Sequence, residues 1–270
     1  MPRKCLEMVS ATDSGMLRAF NEDSLGIDLD AGVMALADGM GGHQAGEVAS
    51  RMATSIILME LKNRVANLSP AISSYALEQT VNEVVEQANR AIFETTRQRQ
   101  AEPAMGTTLA LTLFFNNQAI LAHVGDSRIY RIRNNRLKLL TRDDSLLREQ
   151  VELGVLSAQE AGASRNRSLV TQALGLRQEV TVHLQRQDAL PGDIFLLCSD
   201  GLNDLVEDEE IELIITSLQA NLALAADHLV QLANDYGGHD NISVVLAKVL
   251  EPFPATDRSS WLDKLFSWMR

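Results

Sequence analysis

Val33-Met34-Ala35-Leu36-Ala37-Asp38-Gly39-Met40-Gly41-Gly42-His43 decides how this chain is read. Five apolar residues in a row, Val33 to Ala37, fit a strand covered on both faces. The run ends in an acid, with three glycines and a histidine close behind. Gln44-Ala45-Gly46-Glu47-Val48-Ala49 then opens a helical pattern. An acid at the end of a buried strand has few structural uses. Glycine lets the backbone turn sharply and approach a ligand. The stretch reads as one wall of a metal and phosphate site.

The flanking chain alternates strands, turns and helices. Upstream, residues 7 to 15 form an expected strand, followed by Arg18-Ala19-Phe20-Asn21-Glu22-Asp23. A short strand from Leu25 to Leu29 turns through Asp30-Ala31-Gly32 into the opening stretch. Downstream, Val48, Met52, Ile56, Met59 and Val65 recur at helical spacing over 43–64. A second helix is expected with Ser69 as N-cap, Pro70 at its first position and Leu77, Val81, Val84, Val85, Ala88, Ile92 and Phe93 as its stripe.

Met105 to Phe115, Gln118 to Val124, Arg128 to Arg133 and Leu137 to Leu140 are separated by short polar turns, the pattern of an antiparallel meander. Residues 143–172 have little apolar content and read as an inserted mobile flap, with a short helix near its start. Strands follow at Glu179 to Gln185 and Ile194 to Ser199, helices at 208–218 and 222–236, and a last strand at Ile242 to Leu250. Residues 1–251 parse as one domain and 252–270 as a short tail.

Five aspartates sit beside these apolar strands: Asp23, Asp38, Asp126, Asp200 and Asp240. Taken singly, an Asp-Gly pair is a hairpin turn. Five at corresponding strand ends converge if the strands pack side by side. Grouped carboxylates raise one another's pKa values and stay ionised only beside cations. Oxygen ligands favour Mg²⁺ or Mn²⁺. The five histidines are scattered and lack zinc spacing. Arg18 reads as a fork for phosphate oxygens or as a surface partner of Glu22 or Asp23. His43 reads as a general acid or as a polar residue opening the helix.

Composition bounds the rest. The 270 residues are 46% hydrophobic, and 24 basic against 36 acidic residues leave a formal net charge of −12. That charge argues against general nucleic-acid binding. Cys5 and Cys198 are too few for a disulfide framework, and Cys198 ends an apolar run as a buried free thiol. No run spans a bilayer, and the first residues lack the apolar core of a signal peptide. The expectation is a cytoplasmic monomer.

The motifs Arg18 with Asn21-Glu22-Asp23, Asp38-Gly39-Met40-Gly41-Gly42-His43, Met105-Gly106-Thr107-Thr108, Val124-Gly125-Asp126-Ser127-Arg128, Ser199-Asp200-Gly201-Leu202 and Asp240-Asn241 occur in that order. Together they resemble the metal-dependent serine/threonine protein phosphatases of type 2C, in their bacterial form. The resemblance implies an α+β fold, a four-layer α-β-β-α sandwich of two antiparallel sheets flanked by pairs of helices, with an inserted flap.

It also implies two core Mn²⁺ or Mg²⁺ ions. Asp38 would bridge them, and the Gly39 carbonyl, Asp23, Asp200 and Asp240 would complete the shell. Asp126 with Asp200 would hold a weaker third ion, with Ser164 as an extra contact and Glu22 and Asn241 in support. The implied activity is hydrolysis of phosphoserine and phosphothreonine on proteins by metal-activated water, with Arg18 on the phosphate and His43 protonating the leaving oxygen.

Implied partners are phosphorylated proteins, including a Ser/Thr kinase or its targets. Asp144 stands before Ser145 where such proteins often carry histidine, and Ala163-Ser164 where they often carry His-Pro. The rival reading is a catalytically silent phosphoprotein-binding module of the same fold. In the tail, Trp261, Leu262, Leu265, Phe266, Trp268 and Met269 share one helical face. It reads as a helix docked on its own domain, or as a contact for a partner or membrane surface.

Overall fold

The computed structural model describes residues 4–41, 45–69, 71–99, 104–156 and 169–254. Its strands are β1 (Leu6–Asp13), β2 (Asp23–Asp28), β3 (Val33–Met40), β4 (Gly106–Thr107), β5 (Leu109–Phe115), β6 (Gln118–Val124), β7 (Arg128–Arg133), β8 (Arg136–Leu139), β9 (His183–Asp188), β10 (Ile194–Cys198) and β11 (Ile242–Val249). Its helices are α1 (Ala45–Val65), α2 (Ser74–Arg99), α3 (Leu146–Glu152), α4 (Asp200–Asn203), α5 (Asp208–Ser217) and α6 (Leu222–Asp235). Among the described residues the strands form two antiparallel sheets. One runs β1-β11-β10-β7-β8; the other runs β2-β3-β5-β6-β9, with β4 paired to β3.

Side-chain alternation along the central strands builds the layers. Val33, Ala35 and Ala37 of β3 face one way, into a core shared with α1 and α2. Met34 and Leu36 face the other way, against Phe195 and Leu197 of β10 and Val245 of β11. On β10, Ile194, Leu196 and Cys198 point outward to α5 and α6. Three cores between four layers make an α-β-β-α sandwich, as the resemblance implied. Cys198 is buried and free.

Four local expectations change. The buried face of α1 is Gly46, Ala49, Ala53, Ile57 and Leu61, while Met59 of the expected stripe is 54% exposed. Small side chains at i, i+4 spacing let this helix lie close on β3, and Val48, Met52, Ile56 and Val65 of the expected stripe pack at the margin of the same core. The second helix begins at Ser74, not at Ser69. Ser73 Oγ accepts from the Ala76 N–H (3.2 Å), and Ser69 closes a preceding turn. The strand expected at 179–185 lies at His183–Asp188.

The fourth change bears on the site. The expected meander is divided: β5–β6 belongs to one sheet and β7–β8 to the other. Gly125-Asp126-Ser127 is the crossing between them. Two hairpins do close as read, with Asn116, Asn117, Asn134 and Asn135 all at positive φ.

The base of the flap is anchored rather than loose. Ser145 caps α3, Leu147 is buried, and the Leu146 N–H and Thr171 N–H donate to the carbonyls of Leu169 and Asp144 (2.9 and 2.8 Å). Gly42, His43, Pro70, Ser164 and the tail from residue 255 lie outside the described residues. No helix among the described residues is long and apolar enough to cross a membrane.

Candidate metal centre

The five acids gather at one edge of the sandwich. Asp23 opens β2 and stands opposite Asp38 of β3. Asp200 opens α4 directly after β10, Asp240 precedes β11, and Asp126 lies in the sheet-to-sheet crossing. Asp38, Asp126, Asp200 and Asp240 line one cleft of about 920 Å³ with Arg18, Glu22, Gly39 and Asn241. Asp23 joins them through its pairing with Asp38.

Local bonds fix the backbone and leave the acids to project. The Asp38 N–H donates to Thr108 Oγ1 (3.0 Å), and its carbonyl accepts from Thr107 Oγ1 (2.8 Å) and the Thr108 N–H (2.8 Å). Thr108 Oγ1 also shares a 2.7 Å hydrogen bond with Ser127 Oγ, tying the Asp38 strand to the Asp126 crossing. Gly39 is required by contact: a Cβ there would sit 2.2 Å from the Gly46 carbonyl oxygen of α1. Arg18 Nη2 donates to Asp240 Oδ2 (2.6 Å), so the arginine is held at the cleft rather than by Glu22 or Asp23.

Burial and mutual repulsion perturb the carboxyls. Burial raises Asp23 to about 6, against hydrogen bonds from Ser243 and Ser199. Burial, with Asp143 nearby, raises Asp126 to about 7. Asp38 and Asp200 are pushed upward by burial first, then by the surrounding aspartates.

Among the described residues no three acidic, histidine or cysteine side chains are drawn tightly enough to hold an ion alone. Two carboxylate oxygens, Asp23 Oδ1 and Asp200 Oδ1, are nevertheless buried with no hydrogen-bond partner. A buried oxygen without a donor is costly. All-oxygen donors that leave room for water suit Mg²⁺ or Mn²⁺. Both oxygens belong to the aspartate cluster, where a cation can take the place of the missing donor. The residues therefore fit divalent ions.

Several residues of the quoted motifs have no role assigned from the sequence, and the structure shows what they hold. Ser199 Oγ donates to Asp23 Oδ2 (2.9 Å), and Thr107 and Thr108 hold Asp38. Asn241 is more than support for one ligand. Its Oδ1 accepts from the Glu22 N–H (2.8 Å), and its Nδ2 donates to the Ser14 and Phe20 carbonyls (3.0 and 2.9 Å). Asp144, in the position of the family's frequent histidine, pairs with His183 (2.9 Å) and accepts from the Gly125 N–H (3.0 Å).

Residues 18–239 match the family model described as protein phosphatase 2C. The chain is 38% identical over 247 residues to the serine/threonine protein phosphatase PstP of Mycobacterium tuberculosis, covering 91% of this chain and 45% of that protein. It thus spans under half the length of that relative. It is 36% identical over 240 residues to the serine/threonine phosphatase stp of Listeria monocytogenes, covering 88% of this chain and 93% of stp. A crystal structure of the PstP catalytic domain in complex with two manganese ions superimposes with a TM-score of 0.78 at 36% identity, covering 92% of this chain and 99% of that one.

Proposed function

The chain belongs to the protein phosphatase 2C family, and on that premise we propose that it hydrolyses phosphoserine and phosphothreonine on proteins with the aid of Mn²⁺ or Mg²⁺. The observation that carries the reading is the pair of unpartnered buried oxygens, Asp23 Oδ1 and Asp200 Oδ1, in a cluster of five aspartates. Asp38, Asp23, Asp200, Asp240 and the Gly39 carbonyl would hold two ions, and Asp126 with Asp200 would hold a weaker third. The manganese pair in the PstP catalytic domain supports the count of two. When bound, the ions supply an activated water and neutralise charge on the phosphoryl oxygens.

The chain's own residues do the positioning. Arg18, 56% exposed at its side chain and already drawn to the cleft by Asp240, offers two donors to a phosphate. Asp38 is held at its N–H and carbonyl by Thr107 and Thr108, which fixes the backbone from which its carboxyl projects into the cleft. His43 and Ser164 keep the roles proposed from sequence, leaving-group acid and third-ion contact. Glu22 and Asn241 support the shell from the adjoining loop.

The substrates are phosphoproteins, including a Ser/Thr kinase or its targets, in a cytoplasmic setting, with the chain acting as a monomer. Residues 1–251 form the catalytic unit, and the tail contacts its own domain, a partner or a membrane surface. The test is hydrolysis of p-nitrophenyl phosphate with Mn²⁺ and with a chelator. Turnover that requires Mn²⁺ supports the reading. No turnover under either condition leaves a silent binding module.

A further inference from the structure

We propose that the loop from Met16 to Phe20 is a specificity surface that selects substrates with apolar side chains beside the phosphorylated residue. The proposal deepens the phosphatase reading and rests on it. Three of the five residues in this loop are large and apolar, and all face solvent: Met16 is 69% exposed, Leu17 70% and Phe20 60%. Single exposed apolar residues are ordinary, but a cluster beside a functional cleft marks a contact surface. Phe20 and Arg18 both line the cleft that holds the aspartates. On the flap side, Leu169 lines the same cleft and is 49% exposed.

The loop is held in this arrangement. Asn241 Nδ2 donates to the Ser14 and Phe20 carbonyls at its two ends. The Met16 N–H donates to the Gly238 carbonyl (2.7 Å), and Asn21 Nδ2 to Thr12 Oγ1 (2.8 Å). The backbone is therefore fixed while its apolar side chains stay outside the core. A surface ordered in advance loses little entropy on binding.

The occupant follows from continuity with the cleft. A phosphoryl group at Arg18 brings the neighbouring residues of its chain onto Phe20 and Leu169, which line the same cleft, and past Leu17, the exposed loop residue next to Arg18. Apolar neighbours bury surface there, whereas glycine and serine do not.

The test compares two phosphothreonine peptides, one with leucine and valine on both sides of the phosphothreonine and one with serine and glycine. The wild type is expected to favour the apolar peptide about tenfold in kcat/KM, mostly through KM, the scale of partial burial of two such side chains. In the Leu17→Ser/Phe20→Ser variant the ratio is expected to fall to about two or less. The ratio within each variant is independent of how much protein is active. A wild-type ratio near one overturns the proposal, as does a high ratio that the double variant keeps. A wild type that forms dimers lost in the double variant assigns the surface to a second copy and also overturns it. Wild-type turnover of p-nitrophenyl phosphate with Mn²⁺ separates the two ideas, because its absence overturns the phosphatase reading itself.

Discussion

Asp23 and Asp38 stand directly opposite one another on β2 and β3, two acids in one cross-strand pair. Like charges in that position oppose sheet formation. Burial lifts Asp23 to about 6, and burial with the neighbouring aspartates also lifts Asp38 well above its ordinary range.

The stability of the metal-free protein should therefore fall as pH rises. Carboxyls whose folded pKa is raised favour folding below the unfolded value near 4, and that contribution is lost as pH climbs through the folded values. For Asp23 and Asp126 the window runs from about 4 to about 7. Thermal melts in chelator should show a lower Tm at pH 8 than at pH 5.5, and saturating Mn²⁺ should reduce the difference. A Tm that rises over this range in chelator contradicts the burial of these acids.

Replacing Asp38 should separate stability from function. Asp38→Asn removes the opposing charge while keeping the shape, so the metal-free variant at pH 8 should melt at least about 2 °C higher, the shift of ~1 kcal/mol in a chain of this size. Calorimetric titration with Mn²⁺ should show the binding heat of the wild type lost or greatly weakened. Unchanged Mn²⁺ binding removes Asp38 from the centre.

These acids were legible in the sequence because each interrupts or borders an apolar strand, and the edge of a sandwich collects such ends. The placement of Asp126 was legible only in part. The spacing of β5 to β8 described one meander, and nothing in a two-residue turn pattern says that Gly125-Asp126-Ser127 changes sheets. The face of α1 was legible only in part, because Val48, Met52, Ile56 and Val65 border the core while its centre is made of smaller residues. Ala49 and Ala53 weigh little in a hydrophobic pattern, yet their size is what lets the helix approach β3. The start of α2 shows a third limit: Ser69 and Ser73 both suit a cap, and tertiary packing chooses.

Asn241→Ala should loosen the loop that carries Arg18. It removes an acceptor for the Glu22 N–H and a donor for the Ser14 and Phe20 carbonyls. The expected loss is about 2–4 kcal/mol of stability, from three hydrogen bonds and the groups left unpaired. Chemical denaturation measures it, and hydrogen exchange should rise locally at residues 14–22. A loss confined to a few tenths of a kcal/mol contradicts the clamp.

Arg18→Ala should raise KM for phosphopeptides about tenfold with a smaller effect on kcat, as expected where a phosphate fork is lost. Arg18→Lys should restore only part of the loss, since an ammonium is a point charge. Steady-state kinetics decide it, and an unchanged KM in Arg18→Ala takes Arg18 off the substrate.

The two cysteines should differ in reactivity. Cys198 is buried in the core beneath α5 and α6, and burial pushes its thiol up to about 12. Cys5 is partly exposed. A thiol reagent at pH 8 should modify one cysteine in the native protein and both in denaturant. Rapid native labelling of both contradicts the packing of β10.

An aspartate cluster that acts through divalent ions on phosphorylated protein must release phosphate only when those ions are present. The most direct measurement is the initial rate of phosphate release from a phosphothreonine peptide across a Mn²⁺ titration, for the wild type and Asp38→Asn. The wild-type rate should be absent in chelator, saturate with Mn²⁺, and fall at least about a hundredfold in Asp38→Asn. A wild-type rate indifferent to Mn²⁺, or an Asp38→Asn rate close to wild type, contradicts action through this cluster.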